Sequence, residues 1–91
     1  MKEHRALEDL ISVGPATLKD FKVLGISTVE QLARQDPWKL YQKLMKKTGK
    51  THDICVFDVF TAAVEQARNT NLPQAKKFWV YWSKKRKKEH K

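Results

Sequence analysis

From Asp53 to about Arg68 the chain runs without a turn signal, and Ile54, Cys55, Val56, Phe57, Val59, Phe60, Ala62, Ala63, Val64 and Ala67 cover most of a helical circumference. A helix that is apolar nearly all round has to be buried. A chain of 91 residues has room for one core, so the other elements must pack around this helix. Asp58, Thr61, Glu65 and Arg68 leave it a narrow polar strip. Asp53 stands where an N-cap or first-turn acid offsets the helix dipole.

Punctuation on either side marks further helices. Leu7, Leu10 and Ile11 have i, i+3, i+4 spacing, and Gly14-Pro15 stops that helix and starts the next. Leu18 and Phe21 carry the second apolar face to Leu24, where Gly25 supplies a C-terminal cap. Ser27-Thr28-Val29-Glu30 has capping-box spacing for a short helix to about Arg34. Asp36-Pro37 opens another, ending near Thr48-Gly49, with Trp38, Tyr41, Leu44 and Met45 inward and Lys39, Lys43, Lys46 and Lys50 outward.

After a loop at Asn69–Pro73, the last helix begins near Leu72 or Pro73 and docks Ala75, Phe78, Trp79 and Trp82. Aromatics among lysines, such as Trp79, Tyr81 and Trp82, can stack on single-stranded bases, but at helical spacing they read as core, with Tyr81 the most exposed. No segment keeps strand-like alternation over a useful length. The expectation is an all-α compact bundle of five or six helices, with residues 1–83 as the domain and 84–91 as a basic, flexible tail.

Charge is the first feature that points past a plain helical domain. The formal charge is +9, yet residues 1–71 hold eleven basic and nine acidic side chains, whereas residues 72–91 hold eight basic and one acidic. A block such as Lys84-Lys85-Arg86-Lys87-Lys88 repels itself, so it either stays solvated or attracts an anionic partner such as nucleic acid.

Sites for chemistry are scarce. His52, Asp53 and Cys55 are neighbours, but no second Cys exists and His4 and His90 lie near the termini, so no four-ligand metal site assembles from local spacing. The apolar residues around Cys55 favour packing over nucleophilic attack. With no nucleotide-type glycine loop, carboxylate pair or Ser-His-Asp arrangement, neither an enzyme nor a cofactor is expected. The single Cys, the lack of a transmembrane stretch, and an N-terminus without a signal-peptide core are read as cytoplasmic.

Leu7-x-x-Leu10-Ile11-Ser12-Val13-Gly14-Pro15, with Leu18 and Phe21, resembles the helix-hairpin-helix motif. Gly25-Ile26-Ser27-Thr28-Val29-x-x-Leu32 is similar to the segment that follows the hairpin in the C-terminal domains of the competence-regulator family and of the bacterial RNA polymerase alpha subunit. Over Leu7 to about Ser83 the chain resembles the small bacterial pathogenicity-locus family, whose members are often labelled mitomycin-resistance proteins. Leu10-Ile11-Ser12-Val13-Gly14-Pro15, Gly25-Ile26-Ser27-Thr28, Thr48-Gly49 with Asp53 and Cys55, and Phe78-Trp79 with Trp82 carry that resemblance.

The hairpin resemblance implies phosphate binding by backbone N–H groups at the start of the second helix, without reading of sequence. Two positions depart from the pattern. Ser12 replaces the usual first Gly and fits the turn if its φ is negative, leaving its hydroxyl to donate to phosphate. Ala16 stands where a cation often follows Gly-Pro, and Lys19 and Lys22 substitute in part. The expected function is a non-catalytic, DNA-associated module whose contacts are Ser12, Gly14, Ala16, Lys19, Lys22, Lys84, Lys85, Arg86, Lys87 and Lys88. The alternative is a protein–protein adaptor in which the hairpin is only structural.

Overall fold

In the computed structural model, which describes residues 5–89, the apolar segment forms α4 (Cys55–Arg68) at the centre of the molecule. Around it lie α1 (Pro15–Val23), α2 (Val29–Ala33), α3 (Pro37–Thr48) and α5 (Trp79–Glu89), with 3-10 turns at Leu7–Asp9 and Gln74–Lys77. No strand occurs among the described residues. Phe60, Ala63, Val64 and Ala67 of α4 share one core with Phe21, Leu32, Leu40 and Leu44, where the Phe21 and Phe60 rings stack at 5.5 Å.

A second face of α4 is also buried. Asp58, Ala62 and Gln66 follow i, i+4, i+8 spacing and are each at most 3% exposed, so the expected polar strip is not solvated at Asp58. Asp58 accepts two bonds from Arg86, while the Gln66 amide donates to the Lys77 carbonyl. As α4 advances from Asp58 to Gln66 its partners retreat from Arg86 to Lys77. The chain through α5 therefore runs antiparallel to α4.

Local signals explain most helix ends. Asp36 caps α3 through the Trp38 and Lys39 amides, with Pro37 in the first turn. At the end of α1, Gly25 at φ 77° lets its own N–H reach the Lys22 carbonyl and that of Ile26 reach the Phe21 carbonyl. These are the two bonds of a Schellman ending. The capping box of α2 is shifted one residue from expectation: Thr28 and Gln31 form it. Gln31 wins over Glu30 because its side-chain oxygen accepts from the Ser27 and Thr28 amides together. Arg68 donates to the Ala33 and Gln35 carbonyls just past α2, and Arg5 to the Gln66 and Ala67 carbonyls ending α4.

Three further expectations are corrected. The helix expected before Gly14 is a single 3-10 turn: Leu7 and Leu10 are buried, and i, i+3 spacing suits that tighter geometry. Ile11 is withheld from a helix because Gln66 binds both its N–H, at 2.9 Å, and its carbonyl, at 2.7 Å.

The last helix does not run continuously from Pro73. The chain is extended at Phe78, where the Ser12 hydroxyl accepts from the Trp79 amide at 3.0 Å and donates to the Lys77 carbonyl at 3.2 Å. Ser12 thus acts as a remote cap for α5, a role normally taken by the residue just before a helix. The break resets the helical phase, so Phe78 is exposed and the buried position on α5 is Ser83.

The basic segment is likewise not a flexible tail, because α5 continues through Lys84–Lys88. Residues 1–4, His90 and Lys91 lie outside the described residues.

Candidate nucleic-acid interface

The turn before α1 is built from a strained residue. Ser12 sits at φ 74°, in the left-handed region that costs a non-glycine residue about 1–2 kcal/mol. Its φ is therefore positive, contrary to the condition under which Ser was expected to fit. The two bonds to the start of α5 offset that strain, at about 1 kcal/mol each. They also occupy the hydroxyl that the sequence offered to phosphate. Gly14 is the N-cap of α1 and has no side chain to satisfy the helix amides, with Pro15 next. Ala16, Lys19 and Lys22 are exposed along one face of α1.

At the other end of α4, Lys84, Lys85, Lys87 and Lys88 project from α5 into solvent. Arg86 differs from them. Its Nε and an Nη atom each lie 2.9 Å from the Asp58 carboxylate, so it fixes the helix and is not a free cation. Gln66, which meets the turn, and Asp58, which meets Arg86, are separated by about 12 Å of helix. The turn and the Lys84–Lys88 segment are thus not brought together.

Sequence reasoning missed the aromatic surface beside that segment. Trp38, expected inward, is 45% exposed, because a side chain in the first turn leans back past the helix start. Phe57 braces it edge-on at 5.1 Å and Tyr41 at 5.6 Å. Trp38, Ile54, Phe57 and Arg86 line one concavity of about 450 Å³. Along α5, Lys85 lies over the Trp82 ring at 5.4 Å. The signal in sequence was positional: Trp38 directly follows the Asp36-Pro37 helix start.

The neighbours first weighed as ligands have other partners. The His52 ring is 2.8 Å from the Thr48 hydroxyl and its carbonyl accepts from Tyr41, while Asp53 accepts from the Cys55 amide. Among the described residues, no group of three His, Cys, Asp or Glu is placed to hold a metal ion. Hydrogen bonds from Cys55 hold the Asp53 carboxyl below its usual range. Reciprocally, the bond to Asp53 pushes the Cys55 thiol up, helped by burial. On α1, burial raises the Asp20 carboxyl against the attraction of His52 and Lys19.

Cys55 should therefore react slowly with iodoacetamide at neutral pH, and its pH–rate midpoint should lie above that of a free thiol. The N-cap of α4 is Ile54 and not Asp53; Asp53→Asn keeps an acceptor for the Cys55 amide but removes the charge, so the midpoint should fall. An unchanged midpoint would show that Asp53 does not control the thiol.

Together these features define a small all-helical domain with a cationic C-terminal helix, in which no described helix is long and apolar enough to cross a membrane. The chain belongs to the Cdd1 pathogenicity-locus family, whose model matches residues 1–88. It is 35% identical over 75 residues to the mitomycin resistance protein McrB of Streptomyces lavendulae, a match covering 82% of this chain and 69% of that protein. No solved structure matches it.

Proposed function

We propose that the chain is a non-catalytic module that binds DNA through sequence-independent phosphate contacts. The observation that carries this reading is the order of the basic segment. Lys84, Lys85, Lys87 and Lys88 are exposed on a helix whose rotation is set by the Arg86–Asp58 pair. Cations held on a helix lose less conformational entropy on meeting phosphates than the same residues in a loose chain. The Ala16 amide beside Gly14, with Lys19 and Lys22, forms a second and weaker contact at the far end of α4. Ser12 and Arg86 serve this module by positioning its elements.

Fluorescence anisotropy on double-stranded, single-stranded and junction DNA tests this reading. Log affinity should fall linearly with log salt. Replacing Lys84, Lys85, Lys87 and Lys88 together with Gln should lower the slope by about 2 to 3, as expected if most of the four sit on phosphates. Arg86 is retained, because truncation after Ser83 would strip Asp58 of its partner. Absence of binding to all three DNAs at low salt overturns the proposal.

A second reading, a protein-interaction adaptor, draws on Phe78 and Val80, which are 46% and 43% exposed around the start of α5. A partner captured through them would stay bound at high salt.

A further inference from the structure

Aromatic and cationic residues of α3, α4 and α5 line one trough of three adjoining concavities. The concavity lined by Trp38, Ile54, Phe57 and Arg86 shares Phe57 and Arg86 with a second, which adds Trp82 and Lys85. That one shares Lys85 and Glu89 with a third, which adds Tyr81, Lys84 and Lys88. Rings and lysines therefore line adjoining concavities. The acids of the trough are Glu89 and Asp58, and Asp58 is neutralised by Arg86.

We infer that this trough binds single-stranded nucleic acid, with a base stacked on Trp38 and the phosphates running along Lys85, Lys84 and Lys88. This rests on the phosphate-binding reading above and names the form of nucleic acid the site selects. Two properties of Trp38 fit it for stacking. Nearly half its surface is in water, outside the buried core, and Phe57 and Tyr41 hold the ring in place, so little freedom is lost when a base lands on it. Charge complementarity supplies the other half. Excess lysines beside exposed rings match a strand that offers phosphates and unpaired base faces together. A duplex hides its base faces and gains only the lysine contacts. An acidic peptide gains the charge but not the stacking.

The test is anisotropy with labelled oligo-dT and oligo-rU of about 12 nucleotides and with a blunt duplex, using the full chain. Trp38→Leu should weaken binding to both single strands about tenfold, corresponding to one lost base–aromatic stack, and leave duplex affinity unchanged. Trp38→Phe should restore most of that loss. Binding of oligo-dT should quench tryptophan fluorescence in the parent and less in Trp38→Leu. A melting curve confirms that each variant is folded.

Equal effects of Trp38→Leu on single strands and duplex overturn the inference. So does competition by polyglutamate as effective as that of oligo-dT at matched charge. If the four-lysine Gln variant loses all binding while Trp38→Leu loses none, the stacking site falls and the phosphate reading stands. If the parent binds no nucleic acid, both fall.

Discussion

Arg86→Met is expected to destabilise the protein by about 3–5 kcal/mol, the cost of leaving a buried charge without its partner. At the lower end of the usual range of about 5–15 kcal/mol, that loss brings a domain of this size close to unfolding at physiological temperature. The two partners are unequal: the Asp58 side chain is 1% exposed, whereas Arg86 is 19% exposed. When Arg86 is lost, Asp58 is left inside with no route to solvent. When Asp58 is replaced by Leu, the long guanidinium side chain can swing outward and recover its hydration. Asp58→Leu should therefore cost clearly less than Arg86→Met. The double variant should recover most of the single loss, since apolar packing replaces a buried pair at little net cost. Urea denaturation of the four proteins measures this. Equal losses in the two single variants would show that Asp58 is not sealed.

The same pair shows what could be read from sequence. Elements ruled by near neighbours were legible: Asp36-Pro37 opens α3, Gly49 ends it at φ 68°, and the apolar circumference of Asp53 to Arg68 places α4 at the centre. Lys39, Lys43, Lys46 and Lys50 are exposed as their spacing required. What was hidden depends on polar groups meeting across the fold. Ser12 and Trp79 are 67 positions apart, Ile11 and Gln66 are 55, and Asp58 and Arg86 are 28. Periodicity assigns polar side chains to solvent by default, so it marks such groups as surface. A partial signal existed. Asp58 and Gln66 lie in one row with Ala62 on a helix that has little solvent to offer, and Arg86 falls at i+7 from Trp79, in phase with the docking face. For the candidate site, the lysines were legible from composition, but their helical order and the exposure of Trp38 were not. The first follows from the Arg86 anchor and the second from the overhang at the start of α3.

Gln66 offers the second large effect, because one side chain serves four backbone groups. Its oxygen accepts from the Ile11 amide, and its amide group lies within 3.3 Å of the Ile11, Ala62 and Lys77 carbonyls. Gln66→Leu should cost about 2–3 kcal/mol, since the Ile11 N–H and carbonyl lose their partner at a site only partly open to water. Hydrogen exchange should speed up first at Ile11, and then at Trp79, whose cap depends on the same turn.

Gln66→Glu should be worse at neutral pH despite its nearly identical shape. The donor becomes an acceptor facing three carbonyls, and a charge enters a position that is 3% exposed. Burial and the facing oxygens would raise the pKa of the introduced carboxyl above its unfolded value of about 4.3. The folded state of this variant then binds the proton more tightly, so its stability must fall as pH rises through and above that value. Relative to Gln66→Leu, it should gain stability on acidification as the carboxyl regains an O–H donor. Urea melts of both variants between neutral and acid pH would show this as curves that converge on acidification. Curves that remain parallel would mean that the turn has moved away and water has taken the place of Ile11.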